Sequence, residues 1–231
     1  MSISVIIAGS TGMVGKGVLL ECLENPKVKS VLLLNRSEIG ITHDKIKELI
    51  IEDFNNLSSL REQLEGYDAC YFCLGVSSFR MKEKEYNEIT YRVTLHLAKL
   101  LSDVNPNLSF CYVSGVGTDS SEKGRSMWAR VKGKTENALL KLPLKSVYLF
   151  RPGYIQPMKG VKSKTAMYNT FYAFLKPFYP LFKWIIPSKV TTNIIIGKAM
   201  IYSTLKGSDK TILYNKDINE LAAKLDAGIA N

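Results

Sequence analysis

Gly9, Gly12 and Gly15 stand in the run GSTGMVG, directly after the apolar, β-branched stretch Ile3 to Ala8. Glycines at that spacing let a chain turn sharply, bring bare backbone up to a diphosphate and pack a following helix closely on a sheet. The helix N-terminus then offers unpaired N–H groups and partial positive charge. A dinucleotide is the ligand this pattern fits, with Thr11, Met13 and Val14 completing the turn. About twenty residues on, a carboxylate would hold a ribose hydroxyl; here the chain has Asn35-Arg36. A guanidinium pairs bidentately with phosphate and stacks on adenine, so NADP(H) is expected over NAD(H). The alternative leaves Arg36 in solvent and gives the ribose contact to Glu38.

Other reactive residue types do not assemble into a site. Cys70 and Cys73 have redox-motif spacing, but in an extended strand residues three apart point to opposite faces, and no second pair with nearby histidines exists. His43 and His96 share no ligand pattern, and His96 falls on a helix as a packing residue. No G-x-S-x-G elbow for a serine nucleophile occurs.

The elements that must position the glycine turn read as alternating strands and helices. Strands are expected at Ile3–Ala8, Ser30–Leu34, Ile46–Ile51, Ala69–Leu74, Phe110–Val113 and Ser146–Phe150. Helices are expected from Val14 to Asn25-Pro26, at Leu57–Leu64, at Tyr86–Leu101 and at Trp128–Leu142. That rhythm predicts an α/β fold, a Rossmann-type doubly wound parallel sheet whose ligands sit at the carboxyl ends of the strands. Gly9–Gly15, Arg36, Asp53, Gly75, Ser114 and Arg151-Pro152-Gly153 each follow a predicted strand. With 231 residues, 46% hydrophobic and 23% charged, the chain is expected to be one NAD(P)-binding domain over 1–231, with a small C-terminal helical cap at 155–189 on the substrate side. Four cysteines in apolar surroundings and an N-terminus without a basic leader point to a reducing, cytoplasmic setting.

Taken together, GSTGMVG, Cys73-Leu74-Gly75, the strand ending in Ser114, Arg130-Val131-Lys132-Gly133-Lys134 and Arg151-Pro152-Gly153 resemble the atypical short-chain dehydrogenases. The likeness is closest to the TIP30-like (HTATIP2-like) oxidoreductases and the epimerase/dehydratase-type proteins, and spans about residues 1–160. The resemblance implies that Ser114 orients a substrate carbonyl and Lys132 fixes the nicotinamide ribose. It also implies that Leu74-Gly75-Val76 border the adenosine and pyrophosphate, Asp53-Phe54 the adenine, and Pro152-Gly153-Tyr154 the nicotinamide. Asp53 reads equally well as a helix-capping aspartate. The family's proton-transferring tyrosine, four residues before the lysine, falls on Trp128, and an indole N–H cannot deliver and recover a proton at neutral pH. Three readings stay open: Ser126, Tyr154 or Tyr91 supplies the proton, Lys132 itself does, or the protein binds its cofactor without turnover.

The net charge of +10 is unevenly placed. Residues 1–119 carry −3, residues 120–189 carry +12 and residues 190–231 carry +1. The basic stretch ends in SKTAMYNTFYAFLKPFYPLFKWIIPSK, whose prolines and lysines interrupt any run of the roughly 20 apolar residues a membrane span needs. The first reading is a substrate-pocket cap with snorkelling lysines. The second is contact with an anionic or apolar ligand, or peripheral contact with an anionic membrane. Metal and nucleic-acid partners are not expected, since no recognised module for either is present.

Overall fold

β1, Ile3–Ala8, is buried along its whole length. It runs between two parallel neighbours, pairing Ala8 with Leu34 on one side and with Phe72 on the other. The computed structural model describes residues 2–54, 56–161 and 189–229. In chain order its elements are β1, α1 (Met13–Glu24), β2 (Val28–Asn35), β3 (Ile46–Ile50), a 3-10 helix (Ser58–Leu64) and β4 (Ala69–Phe72). Then come α2 (Glu83–Asn87), a π-helical turn (Glu88–Arg92), α3 (Val93–Val104), β5 (Ser109–Val113), α4 (Met127–Leu139) and β6 (Ser146–Arg151). The last are β7 (Tyr154–Gln156), β8 (Val190–Thr192), α5 (Asn193–Lys206), β9 (Ile212–Tyr214) and α6 (Asn215–Ile229).

Seven strands form one sheet in the order β3-β2-β1-β4-β5-β6-β9, parallel throughout, and β7 and β8 pair separately. Strand order reverses between β1 and β4, so a crevice opens there beyond their carboxyl ends. The α/β doubly wound expectation is met. Alternation along β1 divides the core: Val5 and Ile7 pack on the side of α1, α5 and α6, and Ile6 and Ala8 on the side of α3 and the 3-10 helix. Each such side chain contributes roughly 1.5–3 kcal/mol by leaving water.

Two helices differ from the sequence expectation. Leu57–Leu64 is not an α-helix but a 3-10 segment from Ser58, a form used in short connectors. The expected continuous helix from Tyr86 is interrupted by the π-helical turn, where Ile89 is exposed. Cys70 packs in one core layer and Cys73 against the other, and all four cysteines are free thiols. Of the expected cap at 155–189, residues 162–188 lie outside the described residues. Among the described residues no helix is long and apolar enough to cross a membrane, and no cluster could hold a metal ion.

α1 is docked by close approach. A Cβ at Gly17 would meet the Asn193 side chain at 2.5 Å, and one at Gly197 would meet Val18 Cα at 3.0 Å. Asn193 is itself fully buried, donates to Met13 O and accepts from Met158 N. The first turn of α1 is thereby fixed against α5.

Candidate functional site

The glycine turn is as tight as its sequence predicts. Gly9 has φ +87°, and a Cβ there would meet Leu74 N at 2.9 Å; one at Gly15 would lie 2.2 Å from Gly9 O. Gly12 N–H donates to Gly9 O at 3.1 Å and Gly12 caps α1 through backbone alone, with no acidic residue in the helix's first turn. Thr11, Gly12, Met13 and Val14 stay half-buried, reachable from the crevice. Amide donors without a competing carboxylate suit a diphosphate. Opposite them Leu74 and Val76 are half-buried and Gly75 is exposed, with nothing within 4 Å of the space a Cβ would take.

Beyond β2, Asn35 is buried and bridges the glycine turn to β3. Its Nδ2 donates to Ser10 Oγ at 2.8 Å and to Glu48 Oε1 at 2.7 Å. Glu48 also accepts from Ile39 N. Arg36 is exposed and has no hydrogen-bond or ion-pair partner among the described residues. Asp53 is exposed at the same sheet edge, whereas Phe54 is 6% exposed and packs in the core with Leu34, Ile51 and Phe72. Its ring belongs to that core, so the contact expected of it with adenine would fall to its backbone.

Ser114 follows β5, and its N–H donates to Phe150 O at 2.9 Å. Its Oγ donates to Glu136 Oε1 at 2.6 Å, with Phe150 O at 3.2 Å as a second acceptor. Glu136 is 1% exposed and takes Arg151 Nε on both oxygens at 3.1 Å and Arg151 Nη2 besides. Arg151 also donates to Ser120 Oγ and Tyr214 Oη, which tie the loop after Gly117 and the end of β9 to the pair. The neighbouring carboxylate holds the guanidinium above its usual range.

Lys132 lies one helical turn before Glu136 and one after Trp128, so the three share a face of α4. Its Nζ donates to Ser114 O at 2.5 Å and more loosely to Val113 O at 3.4 Å, 5.9 Å from the centre of the Tyr112 ring. Desolvation lowers the ammonium to about 8, opposed by the Glu136 charge. Trp128 is half-buried against Gly117, whose φ of +88° turns the loop there. Pro152 is buried and Gly153 exposed; Gly153 N–H donates to Asn215 Oδ1 at 2.9 Å, and Tyr154 Oη to Gln156 Oε1 at 2.7 Å. Of the alternative proton donors, Ser126 is exposed at the start of α4 and Tyr91 lies beneath Lys134, 4.5 Å from its ring centre.

Sequence reasoning thus placed Ser114, Lys132 and the Arg151 loop together, but missed Glu136, Ser120, Tyr214 and Asn215. For Glu136 a signal existed in its four-residue spacing from Lys132. For the others none did, because they arrive from distant parts of the chain.

This is the architecture of the NAD(P)-binding, short-chain-dehydrogenase-like oxidoreductases. It superposes on a short-chain dehydrogenase family protein from Francisella tularensis with TM-score 0.64, 14% identity, 94% of this chain and 99% of that one. For Bordetella bronchiseptica WbmF in complex with NAD+ the values are 0.65, 16%, 100% and 79%. For the Helicobacter pylori ADP-L-glycero-D-manno-heptose-6-epimerase they are 0.67, 17%, 100% and 83%. In sequence the chain is distantly homologous to the FMP52 and HTATIP2 proteins. It is 23% identical to the mitochondrial protein FMP52 of Meyerozyma guilliermondii over 96% of both chains. It is 25% identical to HTATIP2 of Rattus norvegicus over 66% of this chain and 62% of the relative. No protein-family profile matches the chain.

Proposed function

We propose that this chain binds NADP(H) across the carboxyl edge of its sheet and acts as an oxidoreductase on a carbonyl or hydroxyl group. The observation that carries this reading is the pairing of two features on that edge. One is the tight glycine turn Gly9–Gly15 at the start of α1, and the other the Lys132 amine at the end of β5. Met13 and Val14 would offer N–H groups to the diphosphate. Leu74, Gly75, Val76 and Asp53 would line the adenosine, Lys132 the nicotinamide ribose, and Pro152, Gly153 and Tyr154 the ring. The bound nucleotide would supply or accept the hydride. Arg36, exposed and uncommitted among the described residues, is the group for a 2′-phosphate.

A second reading, a cofactor-binding protein without turnover, is favoured by one observation: Ser114 gives its hydroxyl proton to Glu136, while Trp128 stands where an acid is needed. Fluorescence titration with NADPH and NADH, followed by a carbonyl screen monitored by loss of bound NADPH, separates the two. Binding with turnover supports the oxidoreductase, binding without turnover the second reading, and no binding overturns both.

The substrate we propose is anionic or apolar, matching the basic residues 120–189. Peripheral contact with anionic membrane is tested by cosedimentation with neutral and anionic vesicles, where equal pelleting defeats it. The free cysteines suit a reducing compartment. The name of the yeast relative sets the mitochondrion beside the cytoplasm as a place to look for the protein.

A further inference from the structure

Among the described residues, the proton that must accompany any hydride transfer at this site has few places to go. Ser114 Oγ–H is given to Glu136. Glu136 is 1% exposed and saturated by Arg151 and Ser114, so it faces no substrate. Tyr112, the tyrosine beside Lys132, is 1% exposed in the core, and burial pushes its hydroxyl far above neutral pH. Tyr86, packed near Tyr112, is 2% exposed and also raised by burial. Tyr154 gives its hydroxyl proton to Gln156.

From this geometry we infer that Lys132 Nζ is the proton-transfer group of the site, shuttling between a neutral amine and an ammonium as substrate is oxidised or reduced. The inference rests on the oxidoreductase reading above. Ser114 O takes one N–H at 2.5 Å, and the second N–H, held only loosely at 3.4 Å by Val113 O, is available to the nicotinamide ribose. A neutral amine has two N–H groups and one lone pair, so its lone pair is left for a substrate hydroxyl; an ammonium has a third N–H for the resulting carbonyl oxygen. Both protonation states are satisfied in one position.

In the oxidative direction the bound nucleotide would accept the hydride released as the substrate C–H bond breaks. The O–H bond breaks, its proton joins Nζ, and C=O forms. Substrate loses two electrons, the nucleotide gains them, and reduction reverses each transfer. Charged and titratable groups around Nζ are consistent with easy deprotonation. Glu136 on α4 alone favours the ammonium, and its charge is shared with Arg151 from β6. Tyr112 from β5 and Tyr86 from α2 stay neutral. Desolvation then dominates and brings the amine to about 8, within reach of both states.

Competitive acetylation with trace acetic anhydride, read by mass spectrometry across pH, tests this on the whole chain, with exposed Lys141 and Lys145 as internal standards. The expected midpoint for Lys132 without nucleotide is near 8, at least two pH units below the ordinary lysine value. Bound as proposed, saturating NADP+ would add a positive charge near Nζ that NADPH lacks, and should bring the midpoint below its value with NADPH by about one pH unit. A midpoint above 10, or one identical with the two nucleotides, overturns the inference while leaving nucleotide binding intact. Failure of either nucleotide to bind overturns the oxidoreductase reading and this inference with it.

Discussion

Ser114 and Glu136 are joined by a 2.6 Å hydrogen bond in which the serine is the donor, across 22 residues of sequence. The bond places a hydroxyl expected to face substrate inside a buried ion pair. Glu136 accepts from Ser114 and from Arg151, which is 6% exposed. Removing the carboxylate leaves a guanidinium without its counter-charge, so Glu136→Ala should cost about 3–5 kcal/mol of unfolding free energy. Replacing both partners, as in E136L/R151M, should recover most of that loss. Urea unfolding of the two variants checks this, and near-equal stabilities would show that the pair is not the source of the cost.

The glycines of the nucleotide turn separate structural from ligand effects. A methyl at Gly15 would fall 2.2 Å from Gly9 O, whereas one at Gly75 meets nothing within 4 Å. Gly15→Ala should therefore lose about 1–3 kcal/mol of stability as well as nucleotide affinity. Gly75→Ala should keep its stability to within about 0.5 kcal/mol and lose affinity only through space taken from the nucleotide. Thermal unfolding with and without NADPH gives both quantities for each variant.

Arg36 has no partner among the described residues, so its removal should leave thermal stability unchanged. If its guanidinium meets a 2′-phosphate, Arg36→Ala should weaken NADPH by about tenfold or more while NADH changes little, the loss of a charge-assisted bidentate pair. Equal weakening of both nucleotides, measured by fluorescence titration, would remove Arg36 from cofactor discrimination.

Much of this arrangement is legible in the sequence where its cause is local. The turn after β1 was readable because Gly9 and Gly15 act on backbone only a few residues away. The parallel sheet was readable because β1, β4 and the Val31–Leu34 part of β2 are largely apolar runs buried on both faces. The bonds joining Ser114, Glu136 and Arg151 were not, since they cross 22 and 15 residues, and the spacing of Glu136 from Lys132 marks only a shared helix face. Strands of three residues, β7, β8 and β9, are too short to show a period. Gly17, Gly133 and Gly197 are unremarkable in sequence, yet a Cβ at Gly133 would lie 1.7 Å from Asp119 O; only the packed structure explains them.

The pH dependence of folding provides a last check on Lys132. Its ammonium is lowered to about 8 in the folded chain from an ordinary value of 10.5, chiefly by desolvation. Between those two values the unfolded chain binds more protons at this residue than the folded one, so its contribution to stability rises with pH across the window from 8 to 10.5. Below about 8 both states are protonated and the penalty is constant; above 10.5 both are neutral and it is gone. Lys132→Met carries no titration, so the difference in unfolding free energy between the parent chain and this variant should grow in the parent's favour from pH 8 to 10 and be flat from pH 6 to 7.5. Urea unfolding at four or five pH values across that range measures the difference directly. A flat difference throughout would mean that Lys132 titrates like an exposed lysine, and a slope of opposite sign would mean that Glu136 outweighs desolvation.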